Sequence, residues 1–279
     1  MTDRPETLPL NTPMIHLIYN APALLTPKNA ETIERLIAAD DPSSRTEVQL
    51  NWEIQTTEKC LGTIRWGEHT IRISGLPYPL PQAVVDRTIH TSHWAPQVKA
   101  ALRQHQSHLS LVYLGTDPDP IEKMIALYRA AHSLANETLL GVVNEPAWTA
   151  HPVADFLDPV QINTYRQELP FMLWVGYVKF FVDKQHYWLT TRGHHIFDVP
   201  DFAYFVQPDD DPDAIINQFI NLFYYLFEED VVVAAGDTLE ISGAAQFLRL
   251  GEVPKEANFL MGPSGTLVIE NISADEANP

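Results

Sequence analysis

The sequence contains a single cysteine, Cys60, and few cationic residues. One cysteine cannot form an internal disulfide, so nothing indicates an oxidising compartment. Lys and Arg together number 18 against 36 Asp and Glu, which gives a formal net charge of −18. This balance argues against nucleic acid, whose phosphates require clustered cations, and against an anionic membrane surface.

Long apolar runs and catalytic signatures are also missing. The first ten residues lack the basic start and apolar core of a signal peptide, and the apolar run 171–177 is far shorter than the roughly 20 residues that cross a bilayer. No Gly-x-Ser-x-Gly elbow, dinucleotide fingerprint or kinase signature occurs. We therefore expect a cytoplasmic chain with no membrane or nucleic-acid partner, no cofactor and no metal.

The composition is that of a globular protein. The chain has 279 residues, of which 45% are hydrophobic and 10% aromatic, enough for one large domain or two small ones. Adjacent strand pairs mixed with single helical crossovers predict an α+β fold, with two tightly packed halves of largely antiparallel sheet covered by helices. We expect a ferredoxin-like topology in each half.

The expected boundaries follow the composition. Residues 1–13 are polar and predicted to be flexible, and 273–279 form an acidic tail. An N-terminal half over 14–145 and a C-terminal half over 153–272 are separated by a predicted linker, 146–152.

Local patterns place several elements. Asp-Pro pairs at 119–120 and 211–212 are typical of helix starts, because Asp caps and Pro suits the first turn. A wide apolar stripe predicts a largely buried helix over 213–228. Aromatic-rich strands are expected at Phe171–Val182 and Tyr187–Thr191, followed by a loop over 193–200.

Three stretches together resemble a known family. They are Leu76–Pro81 (LPYPLP), then Trp94 with His105–Val112 (HQSHLSLV), and then Thr190–Gly193 (TTRG) followed by Phe197, Pro200-Asp201 and Gly236-Asp237-Thr238. This order is similar to the bacterial domain-of-unknown-function family 4261, over roughly residues 71–241. Arg192-Gly193-His194-His195 departs from the family's Thr-x-Gly-hydrophobic pattern. The resemblance implies a fold and a bacterial source, and transfers no reaction and no catalytic residue.

The first candidate site is the loop after the aromatic strands. It carries His194, His195, Asp198 and Asp201. Neutral imidazole serves as a general base or as a metal ligand, and loops often carry function. The alternative is an exposed turn in which Asp198 bonds local backbone amides.

Two further histidine pairs are the basis of the alternative in which the chain binds a metal. His90 and His93, and His105 and His108, are each three residues apart, which places both rings on one face of a helix. A metal-assisted hydrolase would require His194, His195 and Asp198, or His90, His93 and His105, to meet in one pocket. Turn and helix-cap positions explain the same pairs without a metal.

The aromatic strands suggest an interface. Trp and Tyr combine apolar area with a polar tip, as interfaces favour. The candidates are Trp174, Tyr177, Tyr187 and Trp188. A thick core that covers both faces of these strands is the alternative.

Other features receive structural interpretations. The acidic run 209–213 is expected to be a solvated loop that caps the next helix, and the Gly-Asp-Thr at 236–238 a tight turn. Cys60 is expected to be buried and inert.

The expected function is a non-catalytic, acidic cytoplasmic module that binds another protein. Its charge would steer it toward a basic partner. A metal-assisted hydrolase and a self-associating structural subunit are the alternatives.

Overall fold

A computed structural model describes residues 9, 11–21, 28–40, 46–56, 59–229, 231–241 and 246–277. The chain divides into two compact units, Met1–Trp174 and Val175–Pro279, hereafter the first and second unit. Each unit is built on one sheet with helices packed against it. The α+β class with largely antiparallel sheets is therefore confirmed.

The first unit contains a seven-stranded sheet. Its strands are β1 (Met14–Tyr19), β2 (Gln49–Gln55), β3 (Cys60–Trp66), β4 (His69–Leu76), β5 (Ser107–Tyr113), β6 (Leu139–Asn144) and β7 (Thr149–Pro152). Their order is β2-β3-β4-β5-β1-β6-β7, and every pair is antiparallel. Because side chains alternate along each strand, the sheet can bury apolar residues on both faces.

Helices cover both faces of this sheet. They are α1 (Lys28–Asp40), α2 (Gln82–Thr88), α3 (Pro96–Leu102), α4 (Pro120–Ser133), α5 (Pro159–Thr164) and α6 (Phe171–Trp174). The Tyr19 hydroxyl donates to the carbonyl of Leu134 at the end of α4, which places α4 on one face. Ile18 points the other way and packs with Val85 of α2 and Leu102 of α3.

The second unit contains a six-stranded sheet. Its strands are β8 (Gly176–Phe181), β9 (Tyr187–Arg192), β10 (Asp201–Val206), β11 (Thr238–Ile241), β12 (Gln246–Gly251) and β13 (Thr266–Ile272), and its helices are α7 (Pro212–Glu228) and α8 (Ala274–Ala277). The order is β11-β12-β13-β10-β9-β8, and only the β10–β13 pair is parallel among the described strands.

The two faces of the second sheet have different covers. Phe202 of β10 packs on Phe219 of α7, with ring centroids 6.0 Å apart. On the opposite face a 3₁₀ segment, Lys255–Leu260, packs against Ala203 and Val268.

The Asp-Pro pairs predicted the starts of α4 and α7 correctly. Asp119 and Asp211 each cap a helix by accepting a backbone N–H, at 2.8 and 3.0 Å.

The predicted linker is wrong. Residues Thr149–Pro152 form β7, which pairs with β6 as the edge of the first sheet. The boundary between the units therefore falls after Trp174 instead of at 146–152. The flexible segment predicted for 1–13 lies largely outside the described residues, and of the predicted tail, Ala274–Ala277 is helical with Ser273 bonded to Glu276.

Two other predictions also need correction. The strand expected at Phe171–Val182 is α6 followed by β8, because a continuous apolar run after Pro170 does not distinguish a helical turn from a strand. The ferredoxin-like topology is not confirmed, since the sheets have seven and six strands in the orders given above.

Candidate functional site

The predicted histidine loop is a buried 3₁₀ turn. His194–Phe197 form the turn, flanked by two residues in the left-handed region, Gly193 (φ 109°) and Asp198 (φ 56°). His194 and His195 are both buried, whereas Asp198 is exposed. Among the four predicted site residues, only Asp198 therefore presents its side chain to solvent.

Asp201 and Arg192 form the centre of this buried region. Asp201 Oδ1 accepts hydrogen bonds from the Thr191 hydroxyl (3.2 Å) and from the backbone N–H of His194 (3.4 Å). Arg192 Nη1 donates to Thr190 and to the Thr191 carbonyl, and Nη2 donates to the Phe259 carbonyl at 3.0 Å. These bonds connect β9, β10 and the 3₁₀ segment that covers the sheet, as expected of a structural brace.

Burial determines the charges in this cluster. It lowers the pKa of His194 to about 3 and of His195 to about 4, so both imidazoles are neutral at pH 7. It raises the pKa of Asp201 to about 7, because the cost of desolvation exceeds the attraction of Arg192. The cluster is withdrawn from water.

The histidines do not meet in a metal site. His105 is internal: its Nε2 accepts the backbone N–H of Leu80 at 3.0 Å, and its Nδ1 lies 2.8 Å from the Leu102 carbonyl. His90 and His93 are exposed. No group of three or more His, Cys, Asp or Glu side chains that could hold a metal occurs within the described part of the chain.

The predicted interface residues are dispersed. Trp174 is 1% exposed and packs against Tyr128 and Tyr165 inside the first unit. Tyr177, Tyr187 and Trp188 are half-buried on the second sheet, where Lys179 lies over the Tyr187 ring.

The exposed apolar residues of this hairpin are different ones. They are Phe181, 71% exposed, and Val182, at the tip. Neither was among the predicted interface residues.

A groove lies elsewhere on the second unit. It encloses about 650 Å³ between α7 and the β11–β12 pair, and we call it the α7–β11 groove. Its lining includes Leu222, Tyr224 and Tyr225 from α7 and Leu239, Glu240 and Leu248 from the two strands. Tyr225 is 45% exposed, so an aromatic ring is accessible from solvent.

The strand beside the groove is an edge. Among the described residues, β11 pairs only with β12, which leaves one side of its backbone without a strand partner. Edge strands of this kind can accept an extended segment as an additional strand. Sequence reasoning identified α7 and β11 separately, and only the fold brings them together.

A second polar cluster, in the first unit, was not predicted at all. Ser110 Oγ lies 2.9 Å from His16 Nδ1, and His16 Nε2 lies 3.3 Å from Glu145 Oε2. Arg87 Nη2 donates to the other oxygen of Glu145 at 2.9 Å. We call this the Ser110–His16–Glu145 array. The available signal was a histidine inside the apolar strand β1, because a buried polar side chain needs partners.

Cys60 is buried, as expected. Burial raises the pKa of its thiol to about 11, which keeps it protonated and a poor nucleophile at neutral pH.

No family model, curated protein or solved structure matches this chain. The resemblance to the domain-of-unknown-function family 4261 therefore stays a prediction. In the described part of the chain, every helix is too short or too polar to cross a membrane.

Proposed function

We propose that this chain is an acidic binding module that holds an extended, basic segment of a partner protein in the α7–β11 groove. One observation carries the proposal. An accessible groove with aromatic side chains lies beside a sheet edge, and α7 and β11, which form them, both belong to a segment that has acidic residues and no basic ones. Residues 207–241 contain nine Asp or Glu and no Lys or Arg. A cytoplasmic location belongs to the same proposal and rests on the single cysteine.

The chemistry of the groove favours a cationic strand. The backbone of β11 offers hydrogen bonds to an added strand, which supply affinity without regard to sequence. Glu240 supplies a carboxylate, and Tyr224 and Tyr225 supply ring faces that attract Lys or Arg. Alternating side chains of the added strand would point into the groove and set specificity.

Peptide titration tests this proposal. The probe is a nine-residue peptide alternating Lys and Val, with a Glu–Val peptide of equal length as the negative ligand. We expect the Lys–Val peptide alone to bind, and amide hydrogen exchange in β11 to slow in its presence. Glu240→Lys and Tyr225→Ala should each weaken binding by about tenfold.

Matched controls separate the groove from the overall charge. Glu137→Lys changes the net charge by the same amount as Glu240→Lys, on an exposed residue of the first unit. Tyr78→Ala removes an exposed tyrosine of the first unit. Equal weakening by Glu137→Lys and Glu240→Lys would contradict the proposal, because the attraction would then belong to the whole protein.

Self-association is a separate outcome of the same experiments. Light scattering that gives twice the chain mass for the wild type, and a single mass for Tyr225→Ala, would assign the groove to a second copy. That result would overturn the proposed basic partner.

A further inference from the structure

The Ser110–His16–Glu145 array has the order of nucleophile, base and orienting acid. Its members come from β5, β1 and the β6–β7 turn, and are 94 and 129 residues apart in sequence. A serine bonded to an imidazole that is in turn oriented by a carboxylate is the arrangement that activates serine hydroxyls in unrelated folds.

Glu145 determines which nitrogen of His16 carries the proton. The hydrogen bond from His16 lowers the pKa of Glu145 more than burial raises it, so this carboxylate is ionised and can only accept. Neutral His16 must then hold its proton on Nε2, and its Nδ1 is an acceptor. The Ser110 hydroxyl is therefore the donor of the 2.9 Å bond, as proton removal by His16 requires.

Arg87 and a strained turn hold the Glu145 side chain in position. Arg87 bonds its second oxygen, and the same guanidinium lies 5.8 Å from the centre of the Trp148 ring. Trp148 ends the tight turn that carries Glu145 and has a φ of 55°. A bulky residue in this left-handed region is strained, and such strain concentrates at functional sites.

The array borders an open part of the sheet. Ser110 is only partly buried, and its neighbour across the strand pair, Ser74 of β4, is also half-buried. By register, Arg72 and Arg65 lie on the same face, and both are exposed. A substrate can therefore approach Ser110 from this side, where the exposed Arg65, together with Arg72, whose Nη2 lies 3.6 Å from Glu53 Oε2, favours a negatively charged ligand.

We propose that Ser110 is a nucleophile, with His16 as its base and Glu145 and Arg87 as positioning residues, and that the array hydrolyses an anionic carboxylic ester. Ser110 Oγ forms a bond to the carbonyl carbon while its proton moves to His16 Nδ1. The bond to the leaving alcohol breaks, and the alcohol takes that proton. Water then attacks the acyl carbon and gives a proton to His16 Nδ1. The bond between that carbon and Ser110 Oγ breaks, His16 returns the proton to Ser110 Oγ, and the acid leaves.

This activity would be independent of the α7–β11 groove, which belongs to the second unit. The failure of either proposal leaves the other unaffected.

A fluorophosphonate probe tests the nucleophile directly, because serine displaces its fluoride and keeps the phosphorus group. We expect peptide mass spectrometry to place one label on Ser110 in the folded wild-type chain. Ser110→Ala and His16→Gln should abolish this label, and Ser74→Ala, the matched serine on the neighbouring strand, should retain it. Hydrolysis of mono-4-nitrophenyl succinate should exceed that of 4-nitrophenyl acetate and fall by at least about 10²-fold in Ser110→Ala.

The positioning role of Glu145 has its own readout. Glu145→Gln should slow the labelling of Ser110, because the amide no longer fixes the proton of His16 on Nε2. Glu137→Gln, on an exposed residue of the same unit, should label at the wild-type rate.

Ser110→Cys keeps the proposal testable if the alanine variant does not fold. In a Cys60→Ala background its thiol should react with iodoacetamide faster than the same thiol in a His16→Gln chain. Absence of label on Ser110 in a folded wild-type protein, or equal thiol reactivity with and without His16, would overturn the proposal.

Discussion

Arg192 and Asp201 form an ion pair that is almost wholly withdrawn from water. Arg192 Nη1 lies 3.8 Å from Asp201 Oδ2, and the two side chains are 2% and 1% exposed. The separation exceeds hydrogen-bond distance, so the charges attract without a direct bond. Burial consequently outweighs the attraction, and the pKa of Asp201 rises to about 7.

The first prediction concerns the pH dependence of stability. Asp201 loses its proton near pH 3.8 in the unfolded chain and near pH 7 in the folded one. The stabilisation that the protonated Asp201 carboxyl provides is therefore complete below about pH 4 and is lost as the pH rises to 7. The loss is about 1.4 kcal/mol for each unit by which the folded pKa exceeds the unfolded one. Compared with Asp201→Asn, the wild type should lose free energy of unfolding across this window, as measured by urea unfolding.

The two neighbouring histidines do not obscure this comparison. Their lowered pKa values stabilise the fold above pH 6.5, and this contribution is lost as the pH falls toward 4 and 3. Both proteins contain them, so their contribution cancels in the difference. Asp209→Asn, on an exposed carboxylate of the same unit, is the control and should follow the wild type. Parallel curves for Asp201→Asn and wild type would contradict the expectation.

The second prediction concerns Gly262. A Cβ at this position would overlap Asp201 Oδ2 and press on its Cγ, and the buried carboxylate cannot move away without breaking its bonds to Thr191 and His194. We expect Gly262→Ala to lower the free energy of unfolding by about 1–3 kcal/mol, a typical cost of overpacking.

Gly251→Ala is the matched control for this substitution. The nearest atom to its new Cβ, the Val268 carbonyl oxygen, lies at 3.6 Å, an ordinary contact. Its effect should stay within about 0.5 kcal/mol. Equal losses in the two variants by urea unfolding would show that Asp201 does not exclude a side chain at 262.

The third prediction concerns the start of α7. The Asp211 carboxylate accepts the backbone N–H of Asp213, which satisfies one of the free donors at the helix start. Asp211→Ala should therefore cost about 1 kcal/mol. Asp209→Ala removes an exposed carboxylate of the same acidic run and should change thermal stability little; a comparable loss there would attribute the effect to charge instead of capping.

Structural features that depend on a few neighbouring residues, namely helix caps and a turn, were predicted correctly. Asp119 and Asp211 cap helices because their side chains bond amides two residues ahead. Asp237 stabilises its turn in the same local way, accepting the backbone N–H of Ala234 at 2.8 Å. Such bonds depend on sequence neighbours alone, so a sequence pattern is sufficient to predict them.

The secondary structure of the apolar run was ambiguous, because it does not depend on sequence neighbours alone. Phe171–Trp174 became a helix and Gly176–Phe181 a strand within one aromatic stretch, since apolarity alone does not separate the two. The histidine loop was placed correctly in the chain, but the alternative of an exposed turn was wrong for His194 and His195, which are buried. Its burial depends on α7, whose Phe223 ring lies 5.1 Å from that of His194.

The sequence by itself determined the acidic charge, the α+β class, the capped helices and the hairpins, because each depends on composition or on residues a few positions apart. Only the tertiary structure decided which polar groups meet. His16, Ser110 and Glu145 come together because β1 lies between β5 and β6 in the sheet. The α7–β11 groove exists because α7 and the edge strand β11 lie beside each other without closing the space between them. Strand order and packing decide both, and neither leaves a local pattern in the sequence.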